Sequence, residues 1–243
     1  MCFTIALSQK ALQHSNRLIT KFPQLATVNT NYCISAFTFP KHPIITTENP
    51  KEVNLFQWGL IPNWTKTIAD AMKLRQYNLN AKSENVFEKP SFKKSIQNNR
   101  CLVPVSGFYE WRTFGGEKYP YYITLKEEEM FMLGGIYDTW TDKETGEILN
   151  TFSILTTQAN PLMAKIHNTK LRMPVIIPAE KEMNWIDNSI QQKEITNHFS
   201  PFTEDKMQAH TVSKLIVSRN KNKNTPEVIA SFDYPALNND KLF

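Results

Sequence analysis

Large apolar residues recur at every second position at the start of the chain, where Phe3, Ile5 and Leu7 alternate with Cys2, Thr4 and Ala6. That period predicts a strand with its bulky side chains in the core and its small ones on the opposite face, which leaves room beside Cys2. The pattern then changes: Ser8 caps a predicted helix running to about Lys21, with Leu12, Ile19 and Phe22 among its buried positions. Further strands are predicted over residues 102–105, 108–112, 121–125 and 131–137. Another, over 151–157, pairs in this reading with 131–137 across a turn-rich connection containing Glu144, Thr145 and Gly146. Asn160 followed by Pro161 predicts a short helix to about Lys165 with His167 just beyond its end, and 180–187 is a second helical candidate.

Many strands and a few short helices, without regular strand–helix alternation, point to an α+β fold. The expected core is a curved, largely antiparallel sheet or barrel-like assembly with flanking short helices. The 243 residues, 41% hydrophobic and 12% aromatic, suffice for one domain spanning 1–243. No internal repeat or Gly/Ser linker divides them, and only 219–224 reads as an exposed loop.

Three well-separated cysteines (Cys2, Cys33, Cys101) without a C-x-x-C pair signal neither a disulfide framework nor a zinc site. No metal or organic cofactor is indicated, and a reduced, cytoplasmic setting is expected. Neither a secretory signal nor a membrane span is legible at the start. A formal charge of +5 permits a phosphate-rich partner without requiring one.

Cys2 carries the most specific chemistry. Removal of Met1 leaves an amine and a thiol on one residue, a 1,2-aminothiol whose groups titrate, unperturbed, at roughly 8 and 8.5. An aldehyde is its natural electrophile: the amine forms a Schiff base and the thiol closes on the same carbon to give a thiazolidine. In Gly107-Phe108-Tyr109-Glu110-Trp111, alternation puts Tyr109 and Trp111 on one face and Glu110 on the other beside Phe108, where partial burial raises the carboxyl pKa. His167 is an acid or base suited to neutral pH. Within Asn80-Ala81-Lys82-Ser83-Glu84, the Asn80 amide can orient the amine of Cys2 and Lys82 can meet a phosphate. Trp64 can stack on bases, whereas Trp58 is expected in the core. Lys89, Lys93, Lys94, Arg100, Arg112, Lys165, Lys170 and Arg172 complete a basic set that could line a groove. Each residue also has an ordinary reading as a strand acid, a core aromatic or a solvated lysine.

Taken in order, Met1-Cys2, Trp58-Gly59 with Pro62 and Trp64, Asn80 to Glu84, Gly107 to Trp111, and His167 with Arg172-Met173-Pro174 resemble the SOS-response-associated peptidase (SRAP) family over nearly the whole chain. The resemblance implies recognition of abasic sites in single-stranded DNA, covalent crosslinking through the N-terminal cysteine, and autocatalytic processing at the N-terminus. It makes Cys2 the nucleophile, Asn80 an orienting group, Glu110 the ring-opening acid or proton shuttle, and His167 a proton donor or transition-state stabiliser. Trp64, Lys82, Arg112 and Arg172 become candidate DNA contacts, and a monomer with no membrane partner is expected. The sequence departs from the family pattern at Phe3-Thr4, where Gly-Arg is usual, at Ile34-Ser35-Ala36-Phe37, and at Thr211 in His210-Thr211-Val212-Ser213. Two other classes stay open on the residues alone: a thiol peptidase or amidohydrolase built on Cys2, His167 and Asn80, and a noncovalent single-strand binder.

Overall fold

The computed structural model describes residues 2–237. Its strands, in chain order, are β1 (Thr4–Leu7), β2 (Asn31–Ser35), β3 (Lys41–Thr46), β4 (Asn54–Trp58), β5 (Asn80–Lys82), β6 (Arg100–Val105), β7 (Gly107–Phe114), β8 (Glu117–Leu125), β9 (Phe131–Thr141), β10 (Ile148–Gln158), β11 (Arg172–Pro174), β12 (Ile176–Ile177) and β13 (Met207–Thr211). The helices are α1 (Gln9–His14), α2 (Asn16–Lys21), α3 (Ile68–Tyr77), α4 (Lys93–Asn98), α5 (Pro161–Ile166), α6 (Glu182–Trp185) and α7 (Gln192–Asn197). Among the described residues no helix is long and apolar enough to cross a membrane.

Five strands close into a barrel in the order β10-β4-β3-β6-β9, with β9 returning to pair with β10. Closure requires β9 to hydrogen-bond on both edges, and Gly135 permits it: a Cβ there would come within 2.8 Å of the Cys101 sulfur. The core includes Trp58 stacked on Phe152 and the Phe56 ring meeting Tyr137 edge-on. A second, five-stranded antiparallel sheet, β13-β8-β7-β1-β2, packs beside it. Its β7–β8 hairpin turns through Gly115 and Gly116, both at positive φ as a two-residue turn requires. The α+β architecture with a barrel-like, largely antiparallel core is therefore the observed one.

Several local expectations hold. The 131–137 and 151–157 segments pair antiparallel, from Ile148↔Thr141 to Ile154↔Gly135, and Gly146 takes positive φ in their connection. The side chains of Ser8 and Asn160 cap α1 and α5. The 219–224 segment carries no helix or strand and is largely exposed, and the 180–187 candidate is helical to Trp185, as a 3-10 turn over Ala179–Lys181 that runs into α6.

The helix expected from Ser8 to Lys21 is two helices broken at Ser15, whose backbone leaves helical geometry; a serine at that point offers little resistance to the break. The small-residue face of β1 is not open: Cys2 and Ala6 are both fully buried, because the packing covers the strand on both faces. The barrel sheet also contains parallel pairings, β10 with β4 and with β5, which no hairpin pattern in the sequence announces.

Candidate functional site

The described chain begins where the two sheets meet. Ile5 pairs with Phe108, so the backbone on the Cys2 side of β1 runs beside the part of β7 that carries Glu110. On the barrel side, β5 lies parallel to β10, with Asn80 beside Ile154, and the buried Nε1 of Trp58 donates to the carbonyl of Leu79 at 2.7 Å, fixing the residue before Asn80. From there the Asn80 Nδ2 donates to the carbonyl oxygen of Cys2 at 2.8 Å. Among the described residues, the Asn80 Oδ1 is buried with no hydrogen-bond partner. The Cys2 thiol is raised above its ordinary range by burial first and the Glu110 charge second, and its sulfur lies 3.9 Å from the Thr4 carbonyl. Met1, whose removal the aminothiol chemistry requires, lies outside the described residues.

Glu110 is only 3% exposed, and burial pushes its carboxyl up to about 8. The facing group is His167, whose Nε2 stands 3.6 Å from Glu110 Oε2. Burial brings the imidazole down to about 4, against the opposing hydrogen bond between Nδ1 and the Arg172 carbonyl at 2.9 Å. That bond makes Nδ1 the protonated nitrogen and turns the Nε2 lone pair toward Glu110. Near neutral pH the pair is thus a carboxylic acid beside a neutral imidazole, able to give a proton at one atom and accept one at the other.

Cys2, Asn80, Glu110 and His167 are therefore brought to one buried cluster. The remaining candidates are distributed differently. Lys82 is exposed on β5. Trp64 is half exposed, its Nε1 donating to the Pro90 carbonyl. Arg112 is nearly buried, with its guanidinium over the Phe114 ring. Arg172 grips both carboxylate oxygens of Glu84 and donates to the Thr156 carbonyl at 2.6 Å, so its side chain ties β11 to β10 and to the turn after β5. Arg100 stands apart from any groove: it is fully buried and donates to the carbonyls of Trp185, Ile96 and Asp187.

Sequence reasoning assigned no role to Asn168. Its side chain accepts from the Thr113 N–H at 3.0 Å and donates to the Thr113 carbonyl at 2.8 Å, pinning the end of α5 to β7 so that His167 meets Glu110. Its place next to His167 was the only available signal, since an asparagine that completes a strand edge looks like any loop asparagine.

The chain is 36% identical over 190 residues to the abasic site processing protein YoqW of Bacillus subtilis (strain 168), covering 77% of this chain and 80% of that protein. It is 28% identical to the abasic site processing protein HMCES of Xenopus tropicalis, over 72% of this chain and 56% of that longer one. A crystal structure of a protein from Bacteroides thetaiotaomicron superposes with a TM-score of 0.87 at 40% identity, covering 95% of this chain and 100% of that one. The model of the family described as SOS response associated peptidase (SRAP) matches residues 1–219, and the chain belongs to that family.

Proposed function

We propose that this protein processes abasic sites in single-stranded DNA by capturing the ring-opened deoxyribose covalently on Cys2 after Met1 is removed. The observation that carries this reading is the Asn80–Cys2 hydrogen bond, which ties the reacting residue into a buried cluster with a protonated carboxyl and a neutral imidazole. Asn80 Oδ1 supplies the acceptor that a freed Cys2 amine needs.

The steps follow from these groups. Glu110 donates a proton to the sugar ring oxygen while His167 Nε2 takes the proton of the C1′ hydroxyl, and the ring opens to the aldehyde. The Cys2 amine adds to that carbon, and loss of one water leaves an imine. The thiol then adds to the same carbon, its proton passes to nitrogen, and the thiazolidine closes. Burial holds the thiol protonated, so sulfur adds as its proton leaves, and the activation must come from the protonated imine rather than from a free thiolate. Exposed Lys82 and Trp64 serve the phosphate and base contacts of the bound strand. The whole chain acts as one unit, a monomer in the cytoplasm, and hydrolysis of the Met1–Cys2 bond by the same acid–base pair exposes the amine.

A thiol peptidase reading fits the geometry less well. Its asparagine would orient the histidine, but the Arg172 carbonyl does so here and Asn80 holds Cys2 instead. The test is a denaturing gel of protein verified to begin at Cys2, mixed with single-stranded DNA carrying one abasic site. A lesion-dependent covalent band that Cys2→Ala abolishes is expected. Its absence from processed protein overturns the reading.

A further inference from the structure

Next to the buried cluster lies an open cleft of about 250 Å³, walled by Phe3, Phe37, Tyr77 and Leu79, with Lys82 and Lys89 on its lining. Asn80 also faces it, so the cleft is continuous with the site that holds Cys2. Tyr77 at 74% and Phe37 at 64% are the two most exposed large hydrophobic residues in the described chain, and both stand here. Neither ring hangs from a loose loop. Phe37 sits in a turn whose Ala36 N–H donates to the Phe3 carbonyl, and its ring lies 5.0 Å from that of Phe3. Tyr77 is the last residue of α3, which Asn78 anchors through a hydrogen bond to the Leu60 carbonyl.

We propose that this cleft binds the nucleobase adjoining the abasic sugar, stacked on Phe37 and Tyr77, with the linking phosphate at Lys82 and Lys89. The inference rests on the capture reading for what lies at Cys2, and three features select the occupant. Exposed aromatic faces beside two ammonium groups, with no carboxylate on the lining, complement a planar ring on an anionic backbone and repel an acidic peptide. The volume is below that of an ordinary small-molecule pocket and suits one ring system. The shared Asn80 places the occupant directly beside whatever Cys2 holds. Beside Asn80 and the two lysines, Gln76 and the Tyr77 hydroxyl bring the remaining polar groups to the lining, so ring stacking outweighs base-edge hydrogen bonding there.

The experiment compares fluorescent single strands carrying one tetrahydrofuran residue, an abasic analogue without an aldehyde, flanked on both sides by purines or by further baseless residues. Anisotropy should give about tenfold tighter binding of the purine-flanked strand by the wild-type protein. In Phe37→Ala/Tyr77→Ala that preference should fall below about twofold, while Tyr77→Phe, which keeps the ring, retains it. The same preference in the double-alanine and wild-type proteins overturns the inference. A true abasic strand run in parallel on a denaturing gel separates the two claims. Base preference without any adduct supports the cleft and sinks the capture reading; an adduct with no loss of preference in the double variant does the reverse.

Discussion

His167 Nε2 and Glu110 Oε2 stand 3.6 Å apart in an almost closed environment, with the imidazole turned by the Arg172 carbonyl. Burial moves the two groups in opposite directions, the carboxyl up to about 8 and the imidazole down to about 4, so the pair carries no net charge near neutrality. The carboxyl in the unfolded chain ionises near 4.5. Its contribution to stability is complete below that value and is lost as pH rises toward 8. The imidazole contributes above its unfolded value of 6.5, and that contribution is lost as pH falls toward 4.

Glu110→Gln removes the carboxyl's share of this pH dependence. The variant should gain stability over wild type between pH 5 and 7, reaching about 3 kcal/mol at pH 7. Urea unfolding at the two pH values measures it, and parallel curves for the two proteins would refute the assignment.

The same substitution should slow crosslinking about a hundredfold, because one acid is lost. In the wild type, the single-turnover rate should climb as the Cys2 amine loses its proton near pH 8 and then decline as Glu110 ionises. An alkaline decline that persists in Glu110→Gln would belong to another group.

Asn80→Ala should cost about 1–2 kcal/mol through the lost bond to the Cys2 carbonyl and slow adduct formation at every DNA concentration. Asn80→Asp cannot donate that bond and should rescue neither property. Full activity in the aspartate variant, followed by quenched gel time courses, would remove Asn80 from the mechanism.

Lys82 and Arg172 should separate in a salt titration. Lys82→Ala should weaken binding and reduce the dependence of log K on log salt by about one. Arg172→Ala should instead lower stability by about 1–2 kcal/mol, because its guanidinium holds Glu84 and Thr156. A reduced salt slope with unchanged melting temperature in Arg172→Ala would make it a phosphate contact.

Short-range periodicity explains what was legible along the chain. Alternation in Phe108–Trp111 correctly puts Tyr109 and Trp111 on one side of β7 and Glu110 with Phe108 on the other, since strand geometry depends only on neighbours. The caps at Ser8 and Asn160 are local for the same reason. By contrast, β3, β4 and the ten-residue α3 escaped the reading: β4 and β3 are barrel strands set by their partners, and α3 buries only Ala71 and Arg75, too narrow a face to leave a helical pattern.

By itself, then, the sequence determined the two faces of β7, the starts of α1 and α5, the four candidate residues that the family resemblance singles out and the aminothiol that Cys2 can become. Only the tertiary structure decided that Cys2 is enclosed, that Asn80 grips its carbonyl, that Asn168 docks His167 on β7, and that Arg172 serves Glu84. The reason is physical. Those relations join residues tens of positions apart, and their geometry and proton affinities come from barrel closure and from burial between the sheets, which no local pattern encodes.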